Sequence, residues 1–270
     1  MTNKFLFFVL FFINQSLFGQ YTEIHCKHFI YGYPLGSPSY NDLIIRDIYA
    51  LSSNDSTKFA DWVAYRLDSA TISGPSQKQR KWMADPWLDP PETLEPDDYK
   101  NAPEVLKIDR GHQSPLANFK GTDVAWQTNY LSNITPQKSD LNRGVWKDLE
   151  DWERFLTIKY KLLYVMTGPI FEEDFGRLPN ADEPHLIPSG YWKIIVIPKN
   201  GNITDSLNLQ IFGFIFSQNT PLKSDLQSHL TSIDEIERRA KLDFFWTLSD
   251  KTQSMLESKP NRYFTDYFQK

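Results

Sequence analysis

The sequence predicts an α+β fold whose central sheet is largely antiparallel and flanked by helices. Three apolar runs of strand length, Leu162–Met166, Tyr191–Ile197 and Ile211–Phe216, follow a long amphipathic helix. Strands and helices mix with no βαβ repeat between them, which disfavours a parallel sheet. The chain has 270 residues, 40% of them hydrophobic and 15% aromatic. That is enough for one large core, and residues 20–270 are assigned to a single domain.

Residues 1–19 stand apart from the fold. Lys4 precedes the apolar run Phe5 to Ile13, and small Gly19 precedes Gln20. This pattern reads as a secretory signal peptide cleaved after Gly19. The apolar run is well short of the ~20 residues that span a bilayer. The expectation is a secreted or periplasmic protein with no stable membrane association. Cleavage removes one Lys and no acid, leaving 28 basic and 34 acidic residues, a net charge of −6. This argues against binding nucleic acid by bulk charge but leaves room for a local basic cleft, so any such contact must come from a few placed Arg and Lys residues. Cys26 is the only cysteine, so no internal disulfide can form and the core must hold the fold. Cys/His clusters with zinc spacing are absent from the sequence.

Taken in order, Leu43-Ile44-Ile45 and Trp62-Val63-Ala64-Tyr65 read as strands or helical turns. Asp85 to Asp98 carries four prolines and reads as a surface loop packed through Trp87 and Leu94. Val105 to Ile108 reads as a short strand leading into a turn, Asp109-Arg110-Gly111-His112. Trp126 to Ser132 is irregular or a short helix. Leu141 to Lys161 is the clearest helix. Val145, Leu149, Trp152 and Leu156 share its core face, while Asn142, Glu150 and Arg154 fall within a neighbouring arc of about 120°. Ser232 caps a further helix, with Glu235 three residues on as a capping box.

Asp-Arg-Gly-His sets a cation beside a proton acceptor. A free imidazole titrates near pH 6.5, so His112 can accept a proton at neutral pH, or serve as a structural histidine bonded to backbone. Guanidinium groups fork onto phosphate oxygens, which suits Arg110 and Arg80. Arg110 could equally be a surface turn residue, and Arg80, close to Lys78 and Lys81, a solvated loop residue. Gly111 would let the backbone turn so that Arg110 and His112 face one cleft. Asn142 and Glu150 suit a hard cation such as Mg²⁺, with a helix cap and a surface carboxylate as the plainer readings. The two residues lie about 12 Å apart along one helix axis, so one ligates directly and the other acts through water.

The strings DRGHQSPLA and NYLSNITPQKSDLNRGVWKDLEDWER decide among these readings. They resemble the DNA/RNA non-specific endonucleases, the ββα-metal nucleases, in their secreted Serratia-type branch. The likeness runs from KFADWVAYR through DPWLDPPETLEPDDY, TGPIF and IPSGYWK to IDEIERR and LESKP, nearly all of the mature chain. The resemblance implies a ββα-metal motif, DNA and RNA as substrates, products with 5′-phosphates, and Mg²⁺ as cofactor with Mn²⁺ as a substitute. His112 matches the family's general base, Asn142 its single protein metal ligand, and Glu150 the acid that orients metal-bound water. Arg110 and Arg80 match its catalytic arginines, and Asn129, Asn133 and Arg154 match residues lining the cleft. Asp109 is left to brace the turn, and a homodimer is left open. The Serratia-type branch has two disulfides where this chain can form none, and the tail Asn261 to Lys270 has no clear counterpart.

Two rivals remain at this stage. A catalytically inactive nuclease-fold binding module would be expected to lack His112, Asn142 or Glu150, and all three are present. A phosphodiesterase acting on small nucleotides would be separated by comparing a model diester with long DNA.

Overall fold

Strands β6 (Leu162–Ile170) and β7 (Gly190–Pro198) are buried along their whole length, and the fold is built around them. Their side chains alternate between two cores, as a period of two residues requires. Leu163, Val165, Tyr191, Ile195 and Ile197 enter one apolar cluster, while Tyr164, Met166, Trp192, Ile194 and Val196 enter the other. A sheet apolar on both faces must be covered on both. The computed structural model of the chain describes residues 22–75 and 80–268. The leader, residues 1–19, lies outside the described residues, as does Lys78 beside Arg80.

β6 and β7 sit in a sheet of seven strands. The others are β1 (Asp42–Ile45), β2 (Ala50–Asn54), β3 (Phe59–Asp68), β8 (Leu209–Ser217) and β9 (Leu230–Thr231). The order is β1-β2-β3-β6-β7-β8-β9 and every pairing is antiparallel. A separate two-stranded sheet pairs β4 (Ile108–His112) with β5 (Ile134–Lys138). Short helices α1 (Ser69–Ile72) and α2 (Ala102–Val105) precede it. Helices α3 (Ser139–Arg143) and α4 (Val145–Tyr160) follow β5 directly. The chain ends in α5 (Ile233–Ala240), α6 (Asp250–Glu257) and α7 (Phe264–Phe268). Helices α4 and α7 cover one face of the large sheet through Val145, Leu149, Leu156, Phe264 and Phe268. Helix α5 covers the other through Ile233 and Ile236, beside Ile30, Phe244 and Phe245. The α+β class with an antiparallel sheet and flanking helices is thus the observed architecture. Among the described residues no helix is long and apolar enough to cross a membrane.

Several local expectations are corrected. Asp109 to His112 is strand, not turn; the reversal comes earlier, at the α2 helical turn and at Lys107, whose φ is +57°. Gly111 therefore serves close packing: a Cβ there would stand 2.6 Å from Gln137 Oε1. Thr167-Gly168-Pro169 does not end β6, which runs on to Ile170. The helix expected from Leu141 to Lys161 is broken at Gly144, where a Cβ would meet the Leu222 carbonyl oxygen at 2.3 Å. Trp87 does not pack the 85–98 loop: it is 60% exposed and lies over the Arg46 guanidinium at 3.9 Å, while Leu94 is buried. Ser232 does cap α5, accepting from the Glu235 N–H, but the Glu235 carboxylate forks onto Arg238 instead of closing the box.

Candidate active site

β4 brings the first residues together. Alternation along the strand puts Arg110 and His112 on one face and Asp109 on the other, toward α3. A cavity of about 400 Å³ is lined by Arg80, Arg110, His112, Asn142 and Glu150, together with Trp82, Asp109, Arg143 and Lys147. Five of the residues picked out from the sequence therefore share one cleft.

His112 is 7% exposed, and its ring lies 5.2 Å from that of Trp82. Its Nε2 stands 3.1 Å from Asn129 Oδ1. With an amide oxygen as partner, Nε2 carries the proton and Nδ1 keeps the lone pair. Burial, then the Arg80 cation, lower the ring's pKa from 6.5 to about 4, against the opposing Asn129 hydrogen bond. The imidazole is neutral at physiological pH.

His28 is held neutral in the same way. It is 2% exposed, with Nε2 donating to the Arg46 carbonyl at 2.9 Å, and burial lowers its pKa from 6.5 to about 4. Between those values the unfolded chain binds a proton that the folded chain does not. Stability from this ring is full above pH 6.5 and is lost as pH falls toward 4, by up to about 3 kcal/mol. His28→Gln keeps a donor for the Arg46 carbonyl and should lose less stability over this window. Thermal unfolding of both proteins from neutral pH down to pH 4 checks it; parallel curves would contradict the assignment.

Arg110 sits between aromatic rings, 5.0 Å from Tyr99 and 5.6 Å from Trp82. Its Nη2 donates to the Pro96 carbonyl at 2.6 Å, and its buried Nε has no hydrogen-bond partner. Burial lowers its pKa, against Tyr99 and Asp97, and among the described residues no carboxylate forms an ion pair with it. A half-desolvated guanidinium without a counter-ion attracts an anion. Arg80 is exposed at the cavity wall, where its charge reaches His112.

Asn142 is fixed from below. Its Nδ2 donates to Asp109 Oδ2 at 3.1 Å. Asp109 also takes a two-pronged contact from Arg143 at 2.8 and 2.6 Å and a bond from Ser139 Oγ at 3.1 Å. Asp109 thus braces β4 against α3. With the amide nitrogen engaged, the Asn142 carbonyl oxygen is the atom left for a hard cation. Glu150, on α4 beyond the Gly144 break, faces the same cavity. Burial pushes its carboxyl up to about 7, with Lys193 opposing and Glu153 adding to the rise. An amide oxygen and a carboxylate in a polar cleft roomy enough for several waters suit a divalent cation bound largely through water.

Three expected site residues do not line the cavity. Asn129 acts on it only through His112. Asn133 is fully buried, with Oδ1 accepting from the Ser114 N–H and Nδ2 donating to the Ser114 and Thr128 carbonyls, so no polar atom is left for a ligand. Arg154 donates to Asn118 Oδ1 at 2.8 Å and pairs with Asp151. The sequence reading missed a buried ion pair beneath the site. Lys193 Nζ lies 2.6 Å from Glu153 Oε1, both side chains fully buried. Its signal was present: Glu153 falls on the apolar stripe between Leu149 and Leu156, and Lys193 interrupts an apolar strand.

Comparison with known proteins agrees with this geometry. The family model described as DNA/RNA non-specific endonuclease matches residues 27–251. A nuclease of Serratia marcescens is 46% identical over 231 residues, 85% of this chain and 84% of that protein. A nuclease of Nostoc sp. is 30% identical over 245 residues, 86% of this chain and 85% of that protein. A chain from the crystal structure of the EndoG/EndoGI complex superposes with a TM-score of 0.67 at 23% identity, over 82% of this chain and 91% of that one, a likeness of fold. The cleft of β4, β5, α3 and α4 and these matches over most of the sequence have one conclusion: the chain belongs to the DNA/RNA non-specific endonucleases.

Proposed function

We propose that residues 20–270 form one exported, Mg²⁺-dependent endonuclease domain that hydrolyses the phosphodiester bonds of DNA and RNA to products with 5′-phosphates. The observation that carries the reading is the neutral His112 ring sharing one cavity with the unpaired guanidinium of Arg110 and with Asn142 and Glu150.

In this reading His112 Nδ1 takes a proton from a water molecule, whose oxygen attacks phosphorus in line. The new P–O bond forms as the bond to the 3′ oxygen breaks, and that oxygen takes a proton from solvent. Asn129 holds the ring in the tautomer that leaves Nδ1 free. Arg110 and Arg80 neutralise charge building on the phosphate oxygens. Asn142 would hold the cation directly and Glu150 through water, and Mn²⁺ could replace Mg²⁺. Bound there, the cation would polarise the phosphate and stabilise the leaving oxygen. Contacts to phosphate carry no base information, so DNA and RNA are both cut.

The test is an assay of the mature protein on plasmid DNA and on RNA, with and without EDTA. Both substrates should be cut in Mg²⁺, cutting should stop in EDTA, and added Mg²⁺ should restore it. Undiminished cutting in EDTA would overturn the cation's role.

A further inference from the structure

Helices α5 and α6 pack side by side, Ile236 and Leu256 joining one apolar cluster. Beside that seam the carboxylates of Asp234, Glu237 and Glu257 each bring an oxygen within 4.8 Å of the others. Asp234 and Glu237 are three residues apart on α5 and share a face. Glu257 ends α6, is 4% exposed, and its Oε1 has no hydrogen-bond partner. Among the described residues the Glu237 carboxylate accepts one hydrogen bond, from the Phe244 N–H at 2.9 Å. Among the described residues no Lys, Arg or His forms an ion pair with any of the three. The arginines of α5 are engaged elsewhere, Arg238 on Glu235 and Arg239 on Glu172. None of the three acids lines the active-site cavity.

A buried carboxylate facing two others with no counter-cation is strongly disfavoured unless something neutralises it. Two other acidic clusters among the described residues also hold an unpartnered oxygen, Asp55 Oδ1 and Glu183 Oε2, but on half-buried residues. In the second, the buried member, Asp98, accepts the Glu95 N–H, so only Glu257 is both buried and unpartnered.

We propose that Asp234, Glu237 and Glu257 form a calcium site that ties α6 to α5. The donors are all hard oxygens. Ca²⁺ takes about six to eight oxygen ligands in flexible geometry, which suits three carboxylates on two helices whose oxygens lie within 4.8 Å of one another, whereas Mg²⁺ demands a near-ideal octahedron and gives up its waters reluctantly. Water would complete the coordination. The site is independent of the phosphodiesterase reading. A proton is the competing neutraliser, since burial pushes the Glu257 carboxyl up to about 8, with Glu237, Asp234 and Asp243 adding to the rise.

The test uses the mature chain stripped of metal, followed by thermal unfolding in Mg²⁺-free buffer with and without millimolar CaCl₂. Calcium should raise Tm by about 5 °C or more at saturation. The rise should survive in Asn142→Ala, which separates it from the catalytic cleft. It should vanish in Glu257→Gln and in Asp234→Asn, the latter a conservative change at an exposed position that keeps Mg²⁺-supported cleavage. No rise in the wild type, with Glu257→Gln simply more stable, would identify a protonated carboxyl and overturn the site. A rise retained in both carboxamide variants would also overturn it.

Discussion

His112→Ala should lower the rate of DNA and RNA cleavage by about 10²- to 10⁴-fold, the usual contribution of a positioned general base. The ring is buried, its Nε2 is bonded to Asn129, and it meets the cavity that also holds Arg110 and Asn142. No other described residue lining that cavity is an imidazole. Glu150 is the only other unpaired proton acceptor there, and burial raises its carboxyl to about 7. The sign of the pH effect follows from the ring's lowered pKa. His112 stays unprotonated down to about pH 4, so loss of its base form should set in well below the ordinary histidine range. Initial rates on plasmid and RNA measure both effects. A variant within tenfold of wild type would remove His112 from the base role.

Lys193→Met should destabilise the protein by about 3–5 kcal/mol, because it strands a buried carboxylate. Glu153 has no exposure, and among the described residues its carboxylate holds, besides Lys193, the Tyr65 hydroxyl at 2.8 Å and Asn118 Nδ2 at 2.6 Å. Those neutral donors do not balance a full charge. The Lys193 ammonium also lies 4.4 Å from the centre of the Trp146 ring, a contact the thioether replaces only in part. In the double variant Lys193→Met with Glu153→Gln, stability should recover much of the way, since neither charge remains to be desolvated. Urea unfolding of the two singles and the double forms the cycle. Additive losses would show that the pair is not coupled. The pair joins β7 to the helix that carries Glu150, so the singles should also lose activity in proportion to that helix's displacement.

β6, β7 and β8 were legible as apolar runs of strand length, whereas β1 and β3 read equally as helical turns, and β2, which carries Ser52, Ser53 and Asn54, and the two-residue β9 left no such run. The reading stumbled where two signals overlapped. Asp-Arg-Gly-His contains a glycine and three polar residues, which is turn composition, yet β5 pairs with it and makes it strand. Helix periodicity ran unbroken through Gly144, whose backbone leaves the helix at φ −97° and ψ −123° and whose missing Cβ makes room for the Leu222 carbonyl of a remote loop. That break also removes the single straight axis on which Asn142 and Glu150 were measured. Asn133 and Arg154 were assigned to the cleft by family likeness; the fold spends the first on backbone groups and turns the second toward Asn118 and Asp151.

The sequence named the candidates: a base, two guanidinium groups, an amide and a carboxylate are identifiable by type, and the family-like strings that hold them decided between these roles and the plainer ones. Their protonation and their freedom to act were matters of packing. Burial and a neighbouring cation keep the His112 imidazole neutral, a Pro96 carbonyl and two aromatic rings surround an Arg110 that pairs with no carboxylate among the described residues, and Asp109 engages the Asn142 amide nitrogen and leaves its carbonyl oxygen available. Each of these effects needs groups far apart in the chain to meet at a few ångströms out of water. No spacing along a sequence encodes that directly. The uncompensated carboxylates of α5 and α6 belong to the same class, visible only once the two helices are packed together.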